Sequence, residues 1–428
     1  MTNAQRAERL RLLTDVTNIP TASGREQGMV NFIENWVSDR QELVLTRDQV
    51  GNLVVSFSVP PTAPPQRSRR SGDVSSVHAG LPLYVTAHMD HPAFVVERIV
   101  APGVVELSFR GGVMEPFFKD APIVIHTRVG ERLKATVKEK LPSGSGAGDH
   151  YLAELDVRAA AEVSYLDIAT WDLPASHIDP QGLLQAPGCD DQSAVAAALA
   201  MMGEIVQRRR EGQSVGDVRL LFTRAEEIGF LGAIAACRLG TIQRGARVIA
   251  LENSRSFEDS PIGGGPIVRV GDRISVFTPW LTAACGERAE ALFGGPAQPR
   301  ATETNAGVIR RPWQRKLMAG GACEASVFCH YGYEATCLCL PLGNYHNMPH
   351  LAAMQAGTYD ASVLGPPRCA PEFIHTGDYL GLVDLLVDLA SAPPEQQDSS
   401  FSRRLDKLLA EKGYVLGMSL PETFAVRS

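Results

Sequence analysis

Hydrophobic and polar positions along the chain fall into three textures. The first is helical. Ala4, Ala7, Leu10, Leu13 and Val16 recur at helical spacing behind a Thr2/Asn3 cap. Ser23-Gly-Arg-Glu has the spacing of a capping box, and it predicts a second helix with Met29, Ile33 and Trp36 as its apolar stripe. From Ser193 the run SAVAAALAMMGEIV is apolar on nearly all faces, which predicts a helix buried against a sheet. Tyr379 to Ala390 predicts an amphipathic helix with Asp384 and Asp388 on its wet side. Phe401, Leu405, Leu408 and Leu409 predict a last helix that stops at Gly413.

The second texture is the continuous apolar run. Asn52 to Ser58 (NLVVSFS) predicts one strand. LPLYVTAH ends at His88, VRLLFTRAEE at Glu226 and Glu227, VIALE at Glu252, and CLCLPLGNYH at His346. Runs of this kind are what parallel strands buried on both faces look like, and open α/β sheets gather their chemistry outside the carboxyl ends of such strands. The third texture, Pro92 to about Ile178, is short alternating segments separated by Gly and Pro, which predicts a small all-β insertion. The expected architecture is α/β, a mostly parallel sheet sandwiched by helices. Residues 1–92 and 179–428 form the main domain, and 93–178 an inserted β-domain that serves as lid or assembly surface.

Composition narrows the picture. With 428 residues and 44% hydrophobic content the chain can bury a large core, so global disorder is excluded. A net charge of −7 argues against nucleic-acid binding, which needs a basic face. No apolar stretch suits a bilayer, and the polar start is expected to carry no secretory signal. Eight cysteines without CxxC spacing read as reduced, mostly buried thiols of a cytoplasmic protein, with Cys337 and Cys339 as small core residues of one strand face. Val59 to Gly80, with PPTAPP and RSRR, reads as a mobile surface insertion ahead of a binding role for Arg67, Arg69 and Arg70.

The strand ends supply His88, Glu227, Glu252 and His346, and Asp190 precedes the apolar helix. Two imidazoles and three carboxylates form a mixed N/O set suited to a pair of divalent cations, zinc foremost and cobalt or manganese next, rather than magnesium. Asp90, in Thr-Ala-His-Met-Asp, is placed to fix the His88 tautomer. Asp190 and Asp191 divide bridging and helix capping between them. If Glu227 is a ligand, the adjacent Glu226 is free to act as general base. His375 competes with His346 but precedes an amphipathic helix and is read as its cap. His91 has no separate motif and is left out of the set, and His126, His150 and His330 are read as structural or surface residues.

These motifs occur in a fixed order: Thr-Ala-His-Met-Asp, Gly-Cys-Asp-Asp-Gln-Ser, Phe-Thr-Arg-Ala-Glu-Glu-Ile-Gly, and Gly-Gly-Ala-Cys-Glu-Ala before Asn-Tyr-His. With the β-insertion after the first, the chain resembles the glutamyl/deblocking aminopeptidases, whose members often form tetrahedral dodecamers and belong to the di-metal exopeptidases. The resemblance covers nearly the whole chain. It implies a di-zinc exopeptidase-like fold and two divalent cations per subunit. It makes His88 and Glu252 ligands of one cation and Glu227 and His346 ligands of the other, with Asp190 bridging and Glu226 as base. It implies peptide substrates and a homo-oligomer. The sequence departs from the family at Glu252, where aspartate is usual, at Gly320–Glu324, and in the GPPRCAP stretch after His346. The alternatives are an acylase- or carboxypeptidase-like amidohydrolase and an inactive scaffold.

Overall fold

The computed structural model describes residues 2–59, 80–142, 148–300, 302–303, 309–396 and 400–416. Arg67, Arg69, Arg70 and nearly all of the Val59–Gly80 insertion lie outside the described residues.

The chain opens with α1 (Asn3–Val16), α2 (Gln27–Ser38), β1 (Leu43–Arg47), β2 (Leu53–Phe57) and β3 (Leu83–His88). Six strands follow as a unit: β4 (Ala93–Ala101), β5 (Val104–Arg110), β6 (Pro122–His126), β7 (Arg132–Lys140), β8 (Asp149–Leu155) and β9 (Ile168–Trp171). β10 (His177–Ile178) and β11 (Leu183–Ala186) lead to α3 (Gln192–Arg210), β12 (Val218–Thr223), α4 (Leu231–Leu239), β13 (Arg247–Arg255), β14 (Ile267–Asp272) and α5 (Pro279–Phe293). After the two-residue strands β15 (Thr302–Glu303) and β16 (Ile309–Arg310) come β17 (Gln314–Met318), α6 (Glu324–His330) and β18 (Glu334–Leu342). The chain closes with α7 (Leu351–Ala356), α8 (Ala361–Leu364), β19 (Glu372–His375), α9 (Thr376–Ser391) and α10 (Ser400–Lys412).

The main sheet runs β1-β2-β12-β3-β13-β18-β14-β17. Its centre, β12-β3-β13-β18, is parallel throughout, so the four apolar runs found in the sequence are four adjacent strands. Side-chain alternation explains why those runs have no polar face. On β18, Leu338 and Leu340 pack with residues of α3 and α9, whereas Cys337 and Cys339 pack with residues of α4 and α6. Burying each Leu or Val of such a strand is worth ~1.5–3 kcal/mol.

Between β3 and α3 the six strands close into a barrel, β4-β5-β8-β7-β6-β9. It has its own aromatic core. Phe94 meets Phe109 edge-on at 4.8 Å and Trp171 at 5.0 Å, and Phe118 stacks on Tyr151 at 4.4 Å. No helix among the described residues is long and apolar enough to cross a membrane.

Two local expectations are corrected. The helix after Ser23 begins at Gln27 with Glu26 at its N-cap and no side-chain cap bond, so Ser23-Gly-Arg-Glu is not a capping box. Asp384 and Asp388 are not simply solvated. Arg9 and Arg311 both reach Asp384, and Arg288 reaches Asp388, so the partly exposed face of α9 carries paired carboxylates.

Candidate metal centre

The parallel strands deliver the expected residues to one buried cluster. His88 is the last residue of β3 and is 1% exposed. Thr223, its partner on β12, is followed by a turn in which Ala225 takes φ +51°, and the chain then presents Glu226 and Glu227. Glu252 lies inside β13, three positions before its end, rather than closing it as the sequence suggests. His346 comes from the turn after β18, itself at φ +53°. Asp190 and Asp191 stand at the entry of α3, joined by a cis peptide.

Asp190 sits at the centre. Its Oδ1 is 3.4 Å from His88 Nε2 and its Oδ2 is 3.7 Å from His346 Nε2. Glu227 approaches His346 Nε2 at 3.3 Å, and Glu226 approaches His88 Nε2 at 3.9 Å. Atoms able to ligate a metal lie within 4.8 Å of one another in three groups: His88, Asp190, Asp191 and Glu252; His88, Glu226 and Glu227; Asp190, Glu227 and His346. Asp191 thus joins the cluster. Although it holds the N-cap position of α3, its side chain makes no cap bond and its Oδ2 accepts from the His88 N–H at 3.3 Å.

Five carboxylates and two imidazoles share this largely buried space. Burial pushes Glu227 up to about 7, with the Asp190 charge adding to it. Burial likewise pushes Glu226 and Glu252 well above the usual carboxylate range. Against its own burial, Asp190 is held below that range by His346 and His88. Against its burial, His346 is raised to about 9 by Glu227 and Asp190. Oδ1 of Asp190, Oδ1 of Asp191 and Oε1 of Glu227 are buried without a hydrogen-bond partner among the described residues. Orphaned acceptors are costly, and a mixed set of carboxylate oxygens and imidazole nitrogens fits borderline divalent cations.

Other residues hold the cluster in shape. Asp90 faces His88 with both its backbone and its side chain. The His88 Nδ1 is 3.1 Å from the Asp90 carbonyl oxygen, and the carboxylate lies at 3.5 Å. The Asp90 carboxylate also accepts the N–H groups of Glu226 and Glu227 at 3.0 and 3.1 Å. Sequence reasoning missed His91, whose Nδ1 is 2.5 Å from the Asp190 carbonyl oxygen and whose Nε2 is 3.1 Å from Asn347 Oδ1. It also missed Glu372, which accepts from the N–H groups of Cys189, Asp190 and His346. Glu372 had no local signal, but His91 was adjacent to a recognised motif. His375 lies at the N-terminus of α9, where its Nδ1 accepts from the Gly377 N–H at 3.0 Å. His150 meets Glu106 at 2.8 Å on the barrel, away from the cluster.

A mostly parallel α/β sheet with buried histidines and carboxylates at its carboxyl ends, interrupted by a β-barrel, is the arrangement expected of a metal-dependent exopeptidase. The chain belongs to the M42 glutamyl aminopeptidase family, whose model matches residues 74–292. Solved structures share the fold at low identity. The TET1 peptidase of Pyrococcus horikoshii superposes with a TM-score of 0.62 at 20% identity, covering 90% of this chain and 99% of that one. Aminopeptidase APDkam598 of the archaeon Desulfurococcus kamchatkensis gives 0.63 at 17%, covering 90% and 95%. The TET aminopeptidase of Thaumarchaeota archaeon SCGC AB-539-E09 gives 0.64 at 15%, covering 90% and 97%. No curated protein matches the chain.

Proposed function

We propose that the chain releases N-terminal residues from peptides using two divalent cations held by His88, Asp190, Glu227, Glu252 and His346. The observation that carries this reading is Asp190, which turns one oxygen to each of the two histidines at the centre of a buried carboxylate cluster. His88 and Glu252 would hold one cation and Glu227 and His346 the other, with Asp190 shared. Bound there, zinc, cobalt or manganese would acidify a water, polarise the scissile carbonyl and receive the substrate α-amine. Glu226, freed from ligation, takes a proton from the attacking water and delivers it to the leaving amine. Asp90 holds both glutamates by their backbones.

The test is a panel of aminoacyl chromogenic substrates with zinc, cobalt or manganese. Hydrolysis that chelation abolishes and a divalent cation restores is expected. Full activity in excess chelator, with metal verified absent, would end the reading.

Arg255 favours a second reading. A cavity of about 80 Å³ opens on the cluster, and Arg255 lines it with Phe257, Met318 and Tyr345. Its guanidinium donates to Gln355 Oε1 at 2.6 Å and stands 5.3 Å from the Phe257 ring centroid. Among the described residues no carboxylate pairs with it. Arg269, by contrast, is held by Ser254 and stands beside Asp272. A free cation there suits a substrate carboxylate, as in an acylase- or carboxypeptidase-like amidohydrolase. A higher kcat/KM on N-acyl amino acids than on aminoacyl anilides selects that reading.

Self-association is part of the proposal. The P. horikoshii relative is described as assembling into a tetrahedron or an octahedral shell. Here the barrel exposes Ile99, Val100, Val157 and Tyr165, which supports an oligomer that light scattering would detect. Eight free cysteines support a reducing, cytoplasmic location.

A further inference from the structure

The Ser23–Glu26 turn has the lettering of a helix cap, yet its polar groups point at the loop that carries Glu226 and Glu227. Glu26 is 1% exposed. Its Oε1 accepts from the N–H groups of Gly24 (2.7 Å) and Ala225 (3.1 Å), and its Oε2 accepts from Arg224 Nε (2.8 Å). Arg224 reaches further to the carbonyl oxygens of Val50 and Gly24. Ser23 Oγ donates to Asp90 Oδ2 at 2.6 Å, on the same carboxylate that accepts the Glu226 and Glu227 N–H groups. Four consecutive residues, Arg224 to Glu227, are therefore fixed from one turn, directly or through Asp90.

The fixing has a physical reason. Ala225 sits at φ +51°, a left-handed conformation that a residue with a Cβ resists. Such a conformation persists only where its surroundings over-determine it. The turn is gripped in its own right from the barrel. Arg110 Nη1 donates to the Ser23 carbonyl oxygen at 2.9 Å, and Arg25 Nε donates to the Leu166 carbonyl oxygen at 3.0 Å. Gly24, at φ +78°, leaves room for that grip, since a Cβ there would stand 3.3 Å from Arg110 Nη1.

We propose that Ser23 and Glu26 are positioning residues for the reaction. They hold the Arg224–Glu227 backbone so that Glu226 faces His88 and Glu227 faces His346, and they tie that loop to the β-barrel through Arg110. The proposal rests on the roles given above to Glu226 and Glu227.

The test uses the full-length, metal-loaded protein and the variants Ser23→Ala, Glu26→Gln and Arg110→Gln. Loss of supporting contacts around a metal site typically costs about 10- to 100-fold in activity. For Ser23→Ala and Glu26→Gln the expected result is a kcat lower by that factor, with KM within about twofold and two equivalents of metal retained. Arg110→Gln, whose guanidinium touches the turn rather than the cluster, should shift kcat in the same direction. Ser23→Thr, which keeps the hydroxyl, should recover kcat. Adding Ala225→Gly to Glu26→Gln should recover part of it, because glycine adopts the left-handed turn unaided. Amide hydrogen exchange of the metal-free protein gives a readout independent of activity. The peptide spanning Phe222 to Phe230 should exchange faster in Glu26→Gln than in wild type.

Wild-type kcat in both Ser23→Ala and Glu26→Gln, or a kcat loss that only tracks metal loss, overturns the proposal. Unchanged exchange in the 222–230 peptide overturns it as well. A wild type inactive on every aminoacyl substrate with all three metals instead overturns the proposed function, whatever the exchange result.

Discussion

Glu227→Gln tests the physical basis of the cluster most directly, because its effect should change sign with metal. In the metal-free chain, burial and the neighbouring Asp190 charge push Glu227 from 4.5 up to about 7. A carboxylate raised on folding imposes no penalty below its unfolded value. The penalty grows as pH climbs from 4.5 to about 7 and is complete above that, because the unfolded chain releases this proton first. The displacement corresponds to about 3 kcal/mol. Glutamine has no proton to lose, so metal-free Glu227→Gln should be more stable than wild type at pH 8 and less stable than it near pH 4.5, where only the lost contacts count. An amide that matches only part of the carboxylate's contacts reduces the gain to about 1–2 kcal/mol. For a chain of this length that is a rise in Tm of roughly 1–3 °C. Added cation should reverse the order. Wild type gains about 4 kcal/mol at a thousandfold excess over Kd, and the variant gains less because a neutral oxygen is the poorer ligand. Thermal melts in chelator from pH 4.5 to 8, repeated with zinc, give both halves. A metal-free variant no more stable than wild type at pH 8, or one with the same advantage at pH 4.5, would refute the reasoning.

Glu226→Gln should differ in kind, binding metal at wild-type stoichiometry while turnover falls by ~10²–10⁴-fold. Metal analysis and steady-state kinetics on one preparation decide it, and loss of metal would exchange the roles of the two glutamates. His346→Ala should lose metal and activity together. His375→Ala should keep its metal and give up ~0.5–2 kcal/mol of stability through the lost cap on α9, as metal analysis beside thermal melts would show. His126, held down to about 4 by burial and Arg132, favours the fold while neutral. The His126 contribution to stability should therefore shrink as pH drops from 6.5 toward 4, and His126→Gln, which can still bond Thr170, should gain on wild type over that range in paired thermal melts.

The sheet and the cluster differ in how far the sequence reveals them. Strands buried on both faces have no polar alternation, so LPLYVTAH, VIALE and their fellows stand out as runs, and a chemically competent residue at the end of each carries its own signal. The barrel strands alternate and are punctuated by glycine and proline, which made them visible one by one. Closure of the barrel is a property of register and was not visible. The misreadings share one cause. Ser23 and Glu26 have the letters of a cap, but tertiary partners at Asp90 and Ala225 outweigh a local bond. Asp384 and Asp388 look solvated until distant arginines are brought to them. Glu372 supports three backbone N–H groups of the cluster from a segment whose sequence gives no hint of it, because contacts across 26 to 183 positions leave no local pattern.

The closed barrel also bears on how the cluster assembles during folding. His88 and Asp191, which share a hydrogen bond, are 103 positions apart. The first and last barrel strands are paired, Phe94 with Ala169 and Val95 with Ile168, so the insertion leaves the main domain close to where it enters. Once the barrel has formed, the chain separating the two residues shrinks to an effective length of roughly 25–30 residues, which lowers the entropy of closing that loop by about 1 kcal/mol. A barrel that folds first would thus act as a splint, turning a long-range encounter into a shorter one, and folding should be slowed by mutations in its aromatic core that never touch the metal site.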